Sequence, residues 1–142
     1  MRVAIGESLG VAKLHLDLRR GDGPAGARRY NFAALTTTER LVEEQPDVAA
    51  GAVRAIVKAQ MALEQAPSLA TEVARPLFPP DETELIAGLI AKDAPFYSAD
   101  IPPEAVDGIN RFAKATGLIG EAIAYDQLVA SQFRRLCARQ GC

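Results

Sequence analysis

At 142 residues, with 49% hydrophobic and 24% charged side chains, the chain has the length and composition of one ordinary globular domain with a core of its own. A net charge of −2 gives nucleic acid or an anionic membrane surface little to hold, so neither is expected as a partner. The charge is uneven. Residues 1–30 carry six Lys or Arg against three Asp or Glu, and the remainder ten against fifteen, so the positive excess gathers beside a glycine-rich stretch.

Every apolar run is broken by charge or proline well short of the roughly 18 residues a membrane span needs. The apolar stretch Val3-Ala4-Ile5 ends at Gly6-Glu7, too short for the core of a signal peptide, so the chain as given is expected in the cytoplasm. Cys137 and Cys142 lie close together near the end, and His15 is the only histidine. That set cannot supply a four-ligand zinc site, so neither metal nor cofactor is expected. A Cys137–Cys142 disulfide would close a small loop and stabilise little, which favours two ordinary thiols.

In chain order, residues 1–11 are apolar and glycine-broken without clean periodicity, the end of a helix or a displaced element. From Ala12 to Leu18 the pattern alternates, Leu14, Leu16 and Leu18 on one face and Lys13, His15 and Asp17 on the other, which predicts a half-buried strand. Gly21, Gly23, Pro24 and Gly26 make Arg19–Arg29 a loop. Asn31–Thr38, with Phe32, Leu35 and three threonines, predicts a second strand. A short helix follows at Glu39–Glu44.

The rest reads as helix. Pro46 and Asp47 open one over 46–65, with Val53, Ile56, Val57 and Leu63 inward. Pro67 opens a shorter one over 67–75, stopped by Pro76. Asp81 and Glu84 are spaced as a capping box before a helix over 82–93 that carries Leu85, Ile86, Leu89 and Ile90. Pro102-Pro103 begins a helix over 103–116 with Val106, Ile109, Phe112 and Ala113 inward and Gly117 at its end. The last helix covers 125–138 and buries Leu128, Val129, Phe133 and Leu136. Apolar stripes of this kind are core. The prediction is one domain over residues 1–142, mainly α with a small two-stranded β element.

Catalytic chemistry finds little support. A nucleophile–base pair would have to use His15, which sits on the polar face of a strand as a solvated side chain. Adjacent carboxylates such as Glu43-Glu44 and Asp81-Glu82 serve helix ends. No catalytic residue is assigned, and no enzyme is expected. The segment RRGDGPAGARRY matches neither a P-loop nor a dinucleotide fingerprint. Its two arginine pairs suit bidentate contact with sulfonate, carboxylate or phosphate, and it begins at the carboxyl end of a predicted strand, where open α/β sheets bind ligands. Arg19, Arg20, Arg28 and Tyr30 are the candidate ligand-binding residues. The alternative is a solvated basic loop.

The segments AKLHLDL, RRGDGP, YNFAALTTTERL, QPDVAAGAVRAIVKAQ, PSLATEVARPLFPPDETELI and YDQLVASQF, in that order over residues 10–136, carry a further signal. The chain resembles the C-terminal part of substrate-binding proteins of ABC importers, in the nitrate, sulfonate, taurine and thiamine-precursor group. The resemblance implies part of a two-lobe α/β periplasmic-binding-protein fold of type II, a small anionic or nitrogen- or sulfur-containing solute, an ABC permease as partner and a periplasmic location. The first lobe's opening strands and the second lobe have no counterpart in these residues, so the ligand cleft cannot be complete. The leucine face at 14, 16 and 18 then needs a cover, and a homo-oligomer formed by strand pairing or exchange is expected. The reading from another class is a stand-alone α-helical interaction domain without ligand.

Overall fold

The computed structural model of the chain describes residues 2–23 and 33–137, and most of these are helical. The elements are α1 (Arg2–Ser8), a 3-10 turn at Leu18–Arg20, α2 (Glu39–Glu44), α3 (Pro46–Gln65), α4 (Leu69–Ala74), α5 (Pro80–Asp93), a 3-10 turn at Ala94–Phe96, α6 (Pro103–Ala115), α7 (Tyr125–Leu128), a 3-10 turn at Ser131–Phe133 and α8 (Arg134–Cys137). The sequence predicts one domain. By their internal contacts the residues group into two compact units, the first Met1–Asp17 with Lys58–Tyr97 and the second Leu18–Val57 with Ser98–Cys142. Among the described residues no helix is long and apolar enough to cross a membrane.

In the first unit α1 and α4 both pack on α5. The helix α1 ends in a Schellman turn. Gly10, at φ 69°, lets its amide reach the Glu7 carbonyl at 3.1 Å while the Val11 amide reaches Gly6 at 3.0 Å. Proline opens α5: Pro80 takes the first helical position after Pro79, Asp81 and Glu82 sit in the first turn and Lys92 in the last. The capping box expected from Asp81 and Glu84 is therefore corrected. The cap position falls on Pro79, which has no side-chain acceptor, and Asp81 lies inside the helix. Thr83, buried on α5, satisfies its hydroxyl by donating to the Pro79 carbonyl at 3.0 Å and the Phe78 carbonyl at 3.3 Å.

In the second unit Thr38 caps α2 by accepting the Leu41 amide at 3.3 Å. The first part of α3 buries Ala49 and Val57, and Ile56, expected inward, is exposed. On α6 the buried face is Ala105, Val106, Gly108, Asn110 and Ala113. Ile109 and Phe112, expected inward, are 40% and 48% exposed, because the stripe that packs runs through 106, 110 and 113. A second Schellman turn ends α6: Gly117 at φ 74° bonds Lys114 at 3.1 Å and Leu118 bonds Ala113 at 2.8 Å.

Two further expectations are corrected. The two-stranded element over 12–18 and 31–38 is not formed among the described residues: 12–17 and 33–38 carry no regular structure, Leu18 starts a 3-10 turn, and Asn31 and Phe32 lie outside them. Alternation fixes which side chains share a face, but a strand exists only where a neighbour completes its ladder. Here the Ala12 amide turns to the Gly6 carbonyl at 3.1 Å and the Leu14 amide to the Glu7 carboxylate at 3.3 Å. The helix expected over 125–138 breaks after Leu128. Val129 is extended, at φ −115° and ψ 121°, and Ala130 makes an inverse γ-turn, at φ −71° and ψ 72°, with the Ser131 amide on the Val129 carbonyl at 2.7 Å. β-Branched Val129 loses side-chain freedom in a helix, and the break leaves Leu128 exposed.

Candidate functional site

The arginine loop has a backbone that only glycine can follow. After the turn at Leu18–Arg20, Gly21 and Gly23 take φ of 82° and 90°. A Cβ on Gly23 would stand 3.2 Å from the Leu18 side chain, so the turn closes back on Leu18. Arg20 is exposed at this turn. The backbone of Arg19 belongs to the same turn, while its side chain, Arg28 and Tyr30 lie outside the described residues. Only Arg20 of the four candidates therefore has a described side chain. The sheet that would have put this loop at a strand's carboxyl end is not formed among the described residues.

The first unit carries a shallow open hollow of about 390 Å³, lined by Glu64, Pro67, Ala91, Ala94, Pro95 and Tyr97. Its walls come from the end of α3, the turn before α4, the end of α5 and the 3-10 turn after it. Partial burial raises the Tyr97 phenol above its ordinary pKa, keeping it a neutral donor. No spacing in the sequence announces this hollow, because two segments far apart in the chain, 64–67 and 91–97, build it.

In the second unit the loop after α6 is tied down by polar groups. The Asn110 side chain donates to the Ile123 carbonyl at 2.8 Å and accepts the Ile123 amide at 3.0 Å. The Tyr125 hydroxyl donates to the Ile101 carbonyl at 2.7 Å. On the surface Arg134 pairs with Asp100 at 2.8 Å, and that hydrogen bond holds the guanidinium still more firmly protonated. Nearby, partial burial pushes the Cys137 thiol up, with Asp100 adding to the shift and Arg134 opposing it. Among the described residues no cluster of three or more His, Cys, Asp or Glu could hold a metal ion. Sequence reasoning missed Asn110. Its signal was there to find: a polar residue in line with Val106 and Ala113 on a buried stripe needs a partner.

What most distinguishes the chain is how its apolar side chains are distributed. The buried apolar residues are Ala49, Val57, Ala74, Ala94, Ala105, Val106 and Ala113, and no larger side chain among the described residues is fully enclosed. Val3, Leu9, Val11, Leu14, Leu16, Leu18, Leu35, Val73, Leu77 and Phe78 are exposed. Comparison of the chain with protein-family models, with curated proteins and with solved structures finds no significant match.

Proposed function

We propose that the chain works by association, as a helical module whose apolar surfaces are completed by other polypeptide, and not by turnover. The observation that carries this reading is the distribution of size among the described residues: apart from Val57 and Val106 the buried apolar side chains are alanines, while many leucine- and valine-sized side chains are exposed. Scattered exposed apolar residues are ordinary on a monomer. Their coincidence with an interior that encloses no large side chain is what favours a covering partner. Replacing Val73 and Leu77, both strongly exposed, by glutamate is expected to keep the helical circular-dichroism signal and the melting temperature. The same change should lower binding of an apolar dye and reduce concentration-dependent association in sedimentation. A parent chain that binds no dye and sediments as one small species at every concentration would sink the reading.

The second reading keeps the importer resemblance: a component of an ABC importer that holds a small anionic or nitrogen- or sulfur-containing solute and meets an ABC permease in the periplasm. Its support is the glycine-shaped turn beside exposed Arg20, where backbone amides and a guanidinium could face an anion. Calorimetry against taurine, aliphatic sulfonates, nitrate and pyrimidines tests it. Weak or absent binding by this chain alone, recovered in a longer protein that encloses the solute, supports it, since enclosure supplies most of a small ligand's contacts. Failure of the longer protein to bind any of them counts against it.

A further inference from the structure

We infer that the hollow at the ends of α3 and α5 is a binding site for an organic ammonium group, a charged nitrogen carried on a short hydrocarbon body. The inference goes beyond the association reading and does not depend on it. It starts from a repeated dipeptide: Ala66-Pro67 follows α3, and Ala94-Pro95 follows α5. In each case the helical ladder runs one residue past the end. The Ala66 amide reaches the Ala62 carbonyl at 2.8 Å, and the Ala94 amide reaches the Ile90 carbonyl. The next donor would have to come from Pro67 or Pro95, and proline has none. The Leu63 and Ala91 carbonyls therefore end their helices without an amide four residues on. Both prolines line the hollow, so two helix C-termini, each the negative end of its macrodipole, border one space.

The lining side chains agree in sign. Glu64 brings a carboxylate, and among the described residues no lysine or arginine pairs with it. Tyr97 brings a phenol oxygen and a ring whose face attracts cations. No positive side chain lines the hollow, and Lys92, in the last turn of α5, is exposed and outside the lining. An ammonium group has donors and no acceptor, which matches carbonyls and a carboxylate. Pro67, Ala91, Ala94 and Pro95 make the rest of the lining hydrocarbon, which suits a short alkyl chain. The same lining disfavours a bare metal ion, since calcium takes about six to eight oxygens and magnesium an octahedron of them. A volume of about 390 Å³ admits an amine of a few carbons, and because the hollow is open the far end of that amine stays in solvent. A free small amine and the lysine side chain of another polypeptide share this chemistry.

Amide NMR titration of the full chain tests the site. The n-butylammonium ion is expected to shift the amides of Glu64, Ala91, Ala94 and Tyr97 with a Kd of about 1–10 mM, since an open hollow wraps only part of a ligand. At the same concentrations 1-butanol and sodium chloride should leave those amides in place. Glu64→Gln, which keeps the size and removes the charge, should raise the Kd about tenfold. Tyr97→Leu should raise it about threefold through loss of the ring face. Pro95→Ala, which returns a donor to the Ala91 carbonyl, should also raise it about threefold. Lysine blocked as its N-acetyl and N-methylamide derivative separates the two sources. Binding as tight as that of n-butylammonium or tighter assigns the site to a lysine of another polypeptide, and weaker binding assigns it to a free amine; both keep the ammonium site. Three results overturn the inference: no shift at these amides up to about 100 mM, shifts that 1-butanol or sodium chloride reproduces, or a Kd unchanged in Glu64→Gln. Each of them leaves the association reading standing.

Discussion

Asn110 closes both backbone groups of Ile123, thirteen residues away, donating to its carbonyl at 2.8 Å and accepting its amide at 3.0 Å. One side chain thus does for the loop after α6 what a neighbouring strand does for a strand residue, and it does so from a buried position. Asn110→Ala is expected to cost about 2 kcal/mol, because the two bonds are lost with no water-accessible substitute at the helix face. Urea denaturation with the m-value checked for constancy measures it.

Asn110→Asp separates the two bonds. Ionised aspartate keeps an acceptor for the Ile123 amide but turns a buried negative charge on the Ile123 carbonyl, so its pKa should rise in the folded chain. A group raised on folding contributes stability below its unfolded pKa of about 3.9 and loses it as pH rises through the folded value. The Asp variant should therefore approach the parent in acid and fall behind it at neutral pH. A deficit relative to the parent that does not change with pH would contradict this account.

Three glycines should respond differently to alanine. Gly88 lies within α5 with open space where a Cβ would go, so Gly88→Ala should stabilise by up to about 1 kcal/mol through helix propensity alone. Gly117 also has open space, but its φ of 74° makes Gly117→Ala cost about 1 kcal/mol. Gly6 is helical, yet a Cβ there would stand 2.8 Å from the Ala12 Cβ. Gly6→Ala should destabilise despite its better propensity, with the loss concentrated in hydrogen-exchange protection of the Ala12 amide, which bonds Gly6. Thermal melts of the three variants give the ordering.

Cys137 offers a chemical readout of its surroundings. With Cys142 replaced by serine, alkylation of Cys137 should rise with pH at a midpoint above that of an unstructured thiol, since burial favours the neutral form. Asp100→Asn should lower that midpoint and speed the reaction, and Arg134→Gln should raise it and slow it, because the two side chains act on the thiolate with opposite sign. The neutral-thiol preference also means that its contribution to stability is present at neutral pH and fades as pH rises through the folded thiol's pKa. The exposed Arg134–Asp100 pair itself should add little to melting temperature.

The helices were legible because their boundaries are written in local chemistry. Pro46 and Pro103 sit at first helical positions and Gly117 stands where α6 ends, as the sequence indicates, whereas α5 starts at Pro80 and not behind the Asp81 cap that the sequence suggested. Which face would pack was less legible. On α6 the sequence offers Ile109 and Phe112 as the larger apolar residues, but the contact runs through the smaller Ala105, Gly108 and Ala113. The strand at 12–18 failed for a different reason: alternation describes a surface, and only a partner turns it into a sheet. Of the candidate site, Arg20 alone has a described side chain, and the hollow at Glu64 and Tyr97 draws on residues too far apart in sequence for any spacing rule.

A buried set that is mostly alanine reverses the usual direction of mutational damage. Where a leucine core is hurt by truncation, Ala105, 2% exposed, and Ala74, 3% exposed, have almost nothing to lose by it. Almost fully buried, they have little room beside them, so it is enlargement that the packing cannot absorb. Alanine to glycine at these sites should cost mainly helix propensity, about 1 kcal/mol, while alanine to leucine forces backbones apart at a cost of about 1–3 kcal/mol or more. A saturation screen read by folded yield would then show an upper limit on side-chain volume at these positions and no lower one. That pattern marks helices whose separation is set by the smallness of what lies between them.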